Sequence, residues 1–199
     1  MRREIDFRFV IKLIIVMFLI TPIFFGFSSE FLLPQKINVF SISIVLFGII
    51  LIFILSEITV RYQISEASFE NLKSHEVIES FISSDYFTLY STFLITMIME
   101  ELIFRFYIVG LLIHFTGSFY TILVSGIIFS LFHIHTWFSH HNRDITLIFL
   151  AYSFLLGLLN AYILITLGIL FSIFVHYFLA LAFYYEIYRK FDKTNRERF

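Results

Sequence analysis

The sequence contains no cysteine, only two prolines and few charged residues. Of its 199 residues, 15% are charged and 59% are hydrophobic, whereas soluble domains have about 25% charged and about 45–50% apolar residues. Without cysteine there is no disulfide framework, no thiol nucleophile and no cysteine-ligated metal. The net charge of −1 leaves no basic stripe for nucleic acid, so we expect no such partner. These absences exclude a soluble globular domain and predict an integral membrane protein in contact with lipid.

The apolar residues form about six runs long enough to span a membrane, which predicts an all-α fold, a polytopic bundle of transmembrane helices. The predicted spans are 9–27, 39–60, 86–115, 119–138, 145–166 and 169–188. Between the second and third spans lies a connecting segment, residues 61–85, in which charged and apolar residues alternate at helical spacing. This pattern predicts a short amphipathic helix at the membrane surface.

The chain divides into three predicted parts. Residues 1–85 hold two spans and the connecting segment, 86–188 a four-helix core, and 189–199 a basic tail. Basic residues cluster at both ends: Arg2, Arg3, Arg8 and Lys12, then Arg189, Lys190, Lys193, Arg196 and Arg198. The positive-inside rule therefore places both termini in the cytoplasm, with an even number of spans between them. We expect a multi-pass protein, of the cell membrane if the source is a prokaryote.

Charged side chains are almost absent from the last four predicted spans. Over residues 86–138 they are limited to Glu100, Glu101 and Arg105, and over 145–185 there are none, with His176 the strongest polar group. A charge in mid-membrane costs about 2.5 kcal/mol or more and by default indicates a functional site.

Helix geometry assigns different roles to the two carboxylates. Glu101 and Arg105 are four residues apart, so they lie on one helical face and can form an ion pair. Glu100 is rotated by about 100° from Glu101, which leaves it available for chemistry. The alternative interpretation is a charge-neutral cluster that only holds helices together.

Histidines on two further spans, His133 and His176, are candidates to join Glu100. His135, two residues beyond His133, is expected to point to another side of its helix, at the membrane interface. Glu100, His133 and His176 suit a catalytic site with three ligands to Zn²⁺ or another divalent metal. They equally suit a metal-free site in which Glu100 activates water and the imidazoles hold the intermediate. Both hydrolyse an acyl bond, and spacing alone does not separate them.

Three motifs together resemble those of one family. Residues 100–105, EELIFR, match the E-E-x-x-x-R motif of the CAAX prenyl endopeptidase and bacteriocin-processing (CPBP, or Abi) family. Residues 129–133, FSLFH, match its F-x-x-x-H motif, and residues 154–157, FLLG, followed by His176 resemble its third region. The resemblance covers residues 86–185.

This resemblance implies an intramembrane protease, commonly described as a metalloprotease, acting on a peptide or prenylated-protein substrate. It implies Glu100 as the water-activating carboxylate, Glu101 and Arg105 in support, and His133 and His176 as the other active-site residues. Signatures of other intramembrane proteases are absent, including H-E-x-x-H and G-x-G-D.

One position departs from the family pattern. Four residues after its third-region histidine the family carries Asn or Asp, whereas this chain has Ala180. Loss of a donor that holds the oxyanion costs about 3 kcal/mol of transition-state stabilisation, and Asn160 is a hypothetical substitute. The departure favours a second hypothesis, a catalytically weak member acting as a membrane immunity or partner-binding protein. A third is a proton-coupled transporter, because Glu, Arg and His can also relay protons.

Overall fold

The structure is a computed structural model that describes residues 7–35 and 37–196, with side chains described as far as residue 192. Over these residues the chain forms nine α-helices and no β-strand, which confirms the all-α prediction. They are α1 (Phe7–Phe24), α2 (Val39–Gln63), α3 (Glu66–Leu72), α4 (Glu76–Ser83), α5 (Phe93–Glu100), α6 (Gly110–Phe132), α7 (His135–His140), α8 (Arg143–Leu167) and α9 (Ile169–Arg196). Arg2, Arg3 and Arg198 of the basic clusters lie outside the described residues, as do the side chains of Lys193 and Arg196.

Within residues 7–35 and 37–196, five helical stretches are long and apolar enough to cross a membrane. They are Phe7–Phe24, Val39–Gln63, Thr88–His140, Arg143–Leu167 and Ile169–Asp192. The third is 53 residues long because π-helical segments, Thr88–Thr92 and Glu101–Val109, join α5 to its neighbours. It is interrupted at Gly117 (φ 72°, ψ 167°), a backbone conformation that a residue with a Cβ rarely adopts. Its two arms correspond to the predicted spans 86–115 and 119–138.

Local sequence signals set other helix boundaries. Gly168, with φ of 84°, separates α8 from α9, and a Cβ there would lie 3.0 Å from the Phe31 carbonyl oxygen. The side chain of Asn142 accepts a hydrogen bond from the Ile145 amide (3.1 Å) at the start of α8. Such caps satisfy amides that have no partner within the helix.

The connecting segment forms two short helices, α3 and α4, instead of one. On α4, Val77 and Ile78 are buried while Glu79 is exposed, as an amphipathic surface helix requires. The His140 ring at the end of α7 bonds to the Asn71 carbonyl (2.9 Å). This contact places α3 and α7 at the same end of the bundle.

Close packing brings the helices of the core together around α8. At the crossing of α6 and α8, a Cβ on Gly157 would lie 2.9 Å from the Cα of Gly126. Small residues at such a crossing let two membrane helices approach closely. Helix α9 is joined to the end of α2 by Lys190, whose Nζ donates to the carbonyls of Val60 (2.8 Å) and Ile64 (2.7 Å).

Candidate functional site

The three predicted active-site residues line one cavity of about 240 Å³. Glu100 is the last residue of α5, His133 follows the end of α6, and His176 lies within α9. The cavity is also lined by Lys12 and Glu76, which form an ion pair (3.5 Å) between α1 and α4. The connecting segment thus forms part of the cavity wall.

Glu101 is fully buried and is held on every side by protein groups. Its carboxylate accepts hydrogen bonds from side chains of α8 and α9, and it forms an ion pair with an arginine one turn further along its own helical segment. The partners are Asn160 Nδ2 (3.1 Å), Ser172 Oγ, His176 Nδ1 (2.8 Å) and Arg105 Nε (3.3 Å). A buried carboxylate requires such compensation for its lost hydration. Glu101 therefore joins three elements of the core and has little capacity left for chemistry.

Arg105 is fully buried beside Glu101, and the predicted ion pair between them is present. Its guanidinium carbon lies 3.8 Å from the centre of the Phe129 ring on α6. This is a close cation–π contact, the kind that is strongest when desolvated. Arg105 thereby fastens the π-helical segment to α6, which carries Phe129 at 0% exposure.

The carboxylate of Glu100 has fewer hydrogen-bond partners than that of Glu101. Glu100 is 8% exposed, and among the described residues its Oε2 has no hydrogen-bond partner. His176 Nε2 lies 3.8 Å from that oxygen, beyond hydrogen-bond distance. One carboxylate of the pair is fully bonded within the protein, and the other belongs to a residue that lines the cavity and has a buried oxygen without a hydrogen-bond partner among the described residues.

Hydrogen bonds determine which nitrogen of each histidine carries the proton. His176 donates from Nδ1 to the Glu101 carboxylate, so its Nε2 is the nitrogen beside Glu100. His133 donates from Nδ1 to the Phe129 carbonyl (2.9 Å), which leaves Nε2 with a lone pair. These assignments follow from the bonding network, and in both rings Nε2 is the nitrogen that is not used in these hydrogen bonds.

The donors on Glu100, His133 and His176 are chemically compatible with a metal ion. Imidazoles fixed through Nδ1 are typical metal ligands. Within residues 7–35 and 37–196, however, no group of three or more His, Asp or Glu side chains is arranged to hold a metal ion. Metal dependence therefore stays a prediction, and the proposed reaction uses only side chains of the protein.

The expectation that His135 points away from the side of His133 is wrong, while its place at the membrane interface stays a prediction. His135 also lines the cavity, and its ring centre is 5.8 Å from that of His133. The reason is that α6 ends at Phe132 and α7 begins at His135. A helical wheel drawn through the intervening turn therefore gives the wrong direction.

The sequence reasoning missed Ser172 and Phe129 as partners of the buried charges and misassigned Asn160. Ser172 precedes His176 by four residues, so a shared face of α9 was a usable signal. Asn160, the hypothetical replacement for a donor at Ala180, instead donates to Glu101. It supports the buried carboxylate.

His75, at the connection between α3 and α4, forms another part of the cavity wall. Its Nδ1 accepts from the Val77 amide (3.3 Å), which caps α4, and its Nε2 lies 3.0 Å from the Tyr184 hydroxyl. Burial, followed by the nearby His140 and His135, lowers the pKa of His75 to about 3. His75 is therefore neutral in the folded protein at physiological pH.

We expect this histidine to make the protein less stable in acid. The folded state resists protonation of His75 down to a pKa of about 3, whereas the unfolded chain takes up the proton near 6.5. The stability is therefore complete above pH 6.5 and falls as the pH drops from 6.5 towards 3. In thermal unfolding measurements in detergent, the unfolding temperature should fall more steeply with decreasing pH for wild type than for His75→Asn. Equal slopes would contradict this assignment.

Comparison with known proteins gives one match. A family model described as type II CAAX prenyl endopeptidase Rce1-like matches residues 82–182, just over half of the 199 residues. The matched region contains Glu100, His133 and His176. No curated protein and no solved structure matches the chain.

Proposed function

Because the chain belongs to the type II CAAX prenyl endopeptidase Rce1-like family, we propose that it is an intramembrane endopeptidase that hydrolyses a peptide bond of a membrane-associated or lipidated substrate. The observation that carries this proposal is the pair of unlike carboxylates. Glu101 is bonded throughout, while Glu100 Oε2 has no hydrogen-bond partner among the described residues and lies beside His176 Nε2. A general base needs an oxygen that can accept the proton of a water molecule within hydrogen-bond reach, and this oxygen has no protein donor competing for it among the described residues.

In the proposed reaction, the Glu100 carboxylate takes a proton from water. The resulting hydroxide adds to the carbonyl carbon of the scissile bond, and the π-electron pair moves to the carbonyl oxygen. The protonated Glu100 then gives its proton to the amide nitrogen, and the C–N bond breaks to leave a carboxylic acid and an amine. The acid then passes its proton to the amine, which gives a carboxylate and an ammonium group. His176, held by Glu101, and His133, held by the Phe129 carbonyl, orient the water and the substrate.

The substrate is proposed to enter from the side of the connecting segment. Lys12, His75 and Glu76 line the cavity there, so this wall is polar, whereas the outer surface of the bundle is apolar. Both termini are proposed to be cytoplasmic, since Arg8 and Lys12 near one end and Arg189 near the other satisfy the positive-inside rule. A lipid-anchored peptide lying at that surface would reach the cavity without leaving the membrane.

The direct test uses the purified protein in liposomes and a quenched fluorescent peptide that ends in a farnesylated cysteine followed by three residues. We expect release of the tripeptide. When the reaction runs in H₂¹⁸O, the new carboxylate on the farnesylated cysteine product should contain one ¹⁸O atom. Mass spectrometry detects both products. Protein-free liposomes are the control for spontaneous hydrolysis. If the peptide remains intact under conditions in which the protein is folded, the proposed function is contradicted for this substrate class.

Treatment with a chelator distinguishes metal-dependent hydrolysis from the metal-free reaction. Because the proposed reaction uses the Glu100 carboxylate itself as the base, we expect activity to survive treatment with EDTA and 1,10-phenanthroline. Elemental analysis of the treated protein should find no stoichiometric zinc. Activity that is lost with the chelator and restored by added Zn²⁺ would reject the metal-free form and leave a metallopeptidase with the same residues.

The second candidate function is a catalytically weak, partner-binding member of the family. The observation that favours it is Ala180, which lines the cavity but has no side-chain donor. This candidate predicts a folded protein that binds the farnesylated peptide without cleaving it. The same liposome assay, combined with a binding measurement on the same sample, distinguishes it from the peptidase.

A further inference from the structure

We propose that the Tyr184 hydroxyl, oriented by His75, donates a hydrogen bond to the carbonyl oxygen of the scissile peptide bond. This inference rests on the proposed function and assigns a catalytic residue to it. Tyr184 and His75 belong to α9 and to the connecting segment, and neither lies in the charged motif of α5 and its π-helical extension.

The placement on α9 is the first argument. His176, Ala180 and Tyr184 succeed each other at intervals of four residues, so they lie on one helical face, and all three line the cavity. Long side chains on a helix lean towards its N-terminus, which directs the Tyr184 side chain towards His176. Between them Ala180 has only a methyl group, which leaves room for a substrate carbonyl.

The second argument is the hydrogen-bond direction imposed by His75. The Val77 amide donates to His75 Nδ1 (3.3 Å), so the lone pair is on that nitrogen and the proton is on Nε2. Nε2 then donates to the Tyr184 oxygen, 3.0 Å away. Because the tyrosine oxygen accepts in this bond, its own proton remains available to donate into the cavity.

The third argument is the rigidity of the tyrosine ring. Its centre lies 4.6 Å from that of the His75 ring in a stacked arrangement. Phe93 contacts it edge-on at 5.9 Å, and Phe149 packs beside it at 6.0 Å. The side chain is only 9% exposed. A donor held in this way needs little reorganisation when charge develops, which is the requirement for stabilising an oxyanion.

In the proposed step, hydroxide adds to the carbonyl carbon and the carbonyl oxygen becomes negative. The Tyr184 O–H strengthens its hydrogen bond to that oxygen while keeping its proton. When the C–N bond breaks, the carbonyl re-forms and the hydrogen bond weakens again. Tyr184 therefore acts in the transition state, and His75 acts through Tyr184 as a positioning residue.

The experiment measures kcat and KM on the farnesylated peptide in liposomes for Tyr184→Phe. This change removes the hydroxyl and retains the ring that packs against Phe93 and Phe149. We expect kcat to fall by about 10²-fold or more, as for loss of one oxyanion donor, with KM little changed. The matched control is Tyr188→Phe, one turn further along α9, where the ring packs on Phe81. It should retain wild-type kcat.

A second variant tests the role of His75. The oxygen of His75→Asn can still cap the Val77 amide, but the shorter side chain loses the donor to Tyr184. We expect a smaller fall in kcat than for Tyr184→Phe. The double variant should be no slower than Tyr184→Phe alone, because the histidine acts through the hydroxyl. Multiplicative losses in the double variant would overturn the positioning role.

The possible results keep the two proposals distinct. Tyr184→Phe that elutes as a monodisperse protein and retains wild-type kcat overturns this inference, provided that wild type is faster than Glu100→Gln. If wild type and Glu100→Gln turn over the peptide at the same rate, the proposed function fails, and this inference fails with it. A fall in kcat confined to Tyr184→Phe and absent from Tyr188→Phe supports the assignment.

Discussion

Glu100→Gln is expected to lower kcat by a factor of about 10² to 10⁴, the range that general-base catalysis contributes. The amide has nearly the same shape as the carboxylate but cannot take a proton from water. Glu100 Oε2 has no hydrogen-bond partner among the described residues, so the substitution breaks no bond to that oxygen. KM and thermal stability should therefore stay near their wild-type values. Steady-state kinetics on the farnesylated peptide and a thermal melt of the same sample measure both.

The control for this variant is Glu79→Gln, which makes the same chemical change on the exposed face of α4. It should retain wild-type kcat, since Glu79 is outside the cavity wall described above. A Glu100→Gln protein that cleaves at the wild-type rate would remove Glu100 from the reaction. It would also favour the interpretation in which the two carboxylates and the arginine only hold helices together.

Arg105→Met is expected to destabilise the protein by about 3–5 kcal/mol, because it leaves Glu101 as an uncompensated buried charge. That loss is about a fifth or more of the 5–15 kcal/mol that is typical of folded proteins, so the yield of folded protein should fall. Arg105→Lys keeps the charge but loses the planar group that stacks on Phe129. It should therefore reduce the folded yield more than it reduces kcat per folded molecule. Size-exclusion chromatography and thermal unfolding in detergent measure these effects.

An exposed ion pair provides the comparison. Arg189 and Glu186 pair on the surface of α9 (2.7 Å) with the arginine 58% exposed, and such pairs contribute about 0–1 kcal/mol. Arg189→Met should therefore leave the unfolding temperature almost unchanged. A second comparison is Glu101→Gln combined with Arg105→Met, which removes both buried charges and should recover part of the folded yield. Wild-type levels of a folded but inactive Arg105→Lys would instead indicate that the guanidinium takes part in the reaction.

Helix periodicity alone predicted the part of the candidate site that lies on one helix, whereas the grouping of Glu100, His133 and His176 was predicted from polar residues within apolar spans and from the motif resemblance. The Glu101–Arg105 pair is a relation of four residues within one helical stretch, and the structure contains it. The side chains that donate hydrogen bonds to the Glu101 carboxylate lie 59 to 75 residues further along the chain. Which face of α8 or α9 meets Glu101 depends on the rotation of each helix and on the close approach of α6 and α8 at Gly126 and Gly157. No local pattern specifies that rotation.

The sequence alone determined the membrane-spanning helical class, because composition and run length decide whether backbone polar groups must be satisfied within helices. It also determined the breaks at Gly117 and Gly168, where the backbone conformation requires glycine. Only the tertiary structure decided that side chains of α8 and α9 complete the bonding of Glu101, that His135 lines the cavity, and that His75 meets Tyr184. Each of these depends on contacts between elements distant in the chain or on a turn between helices, and side-chain packing, not periodicity, sets them.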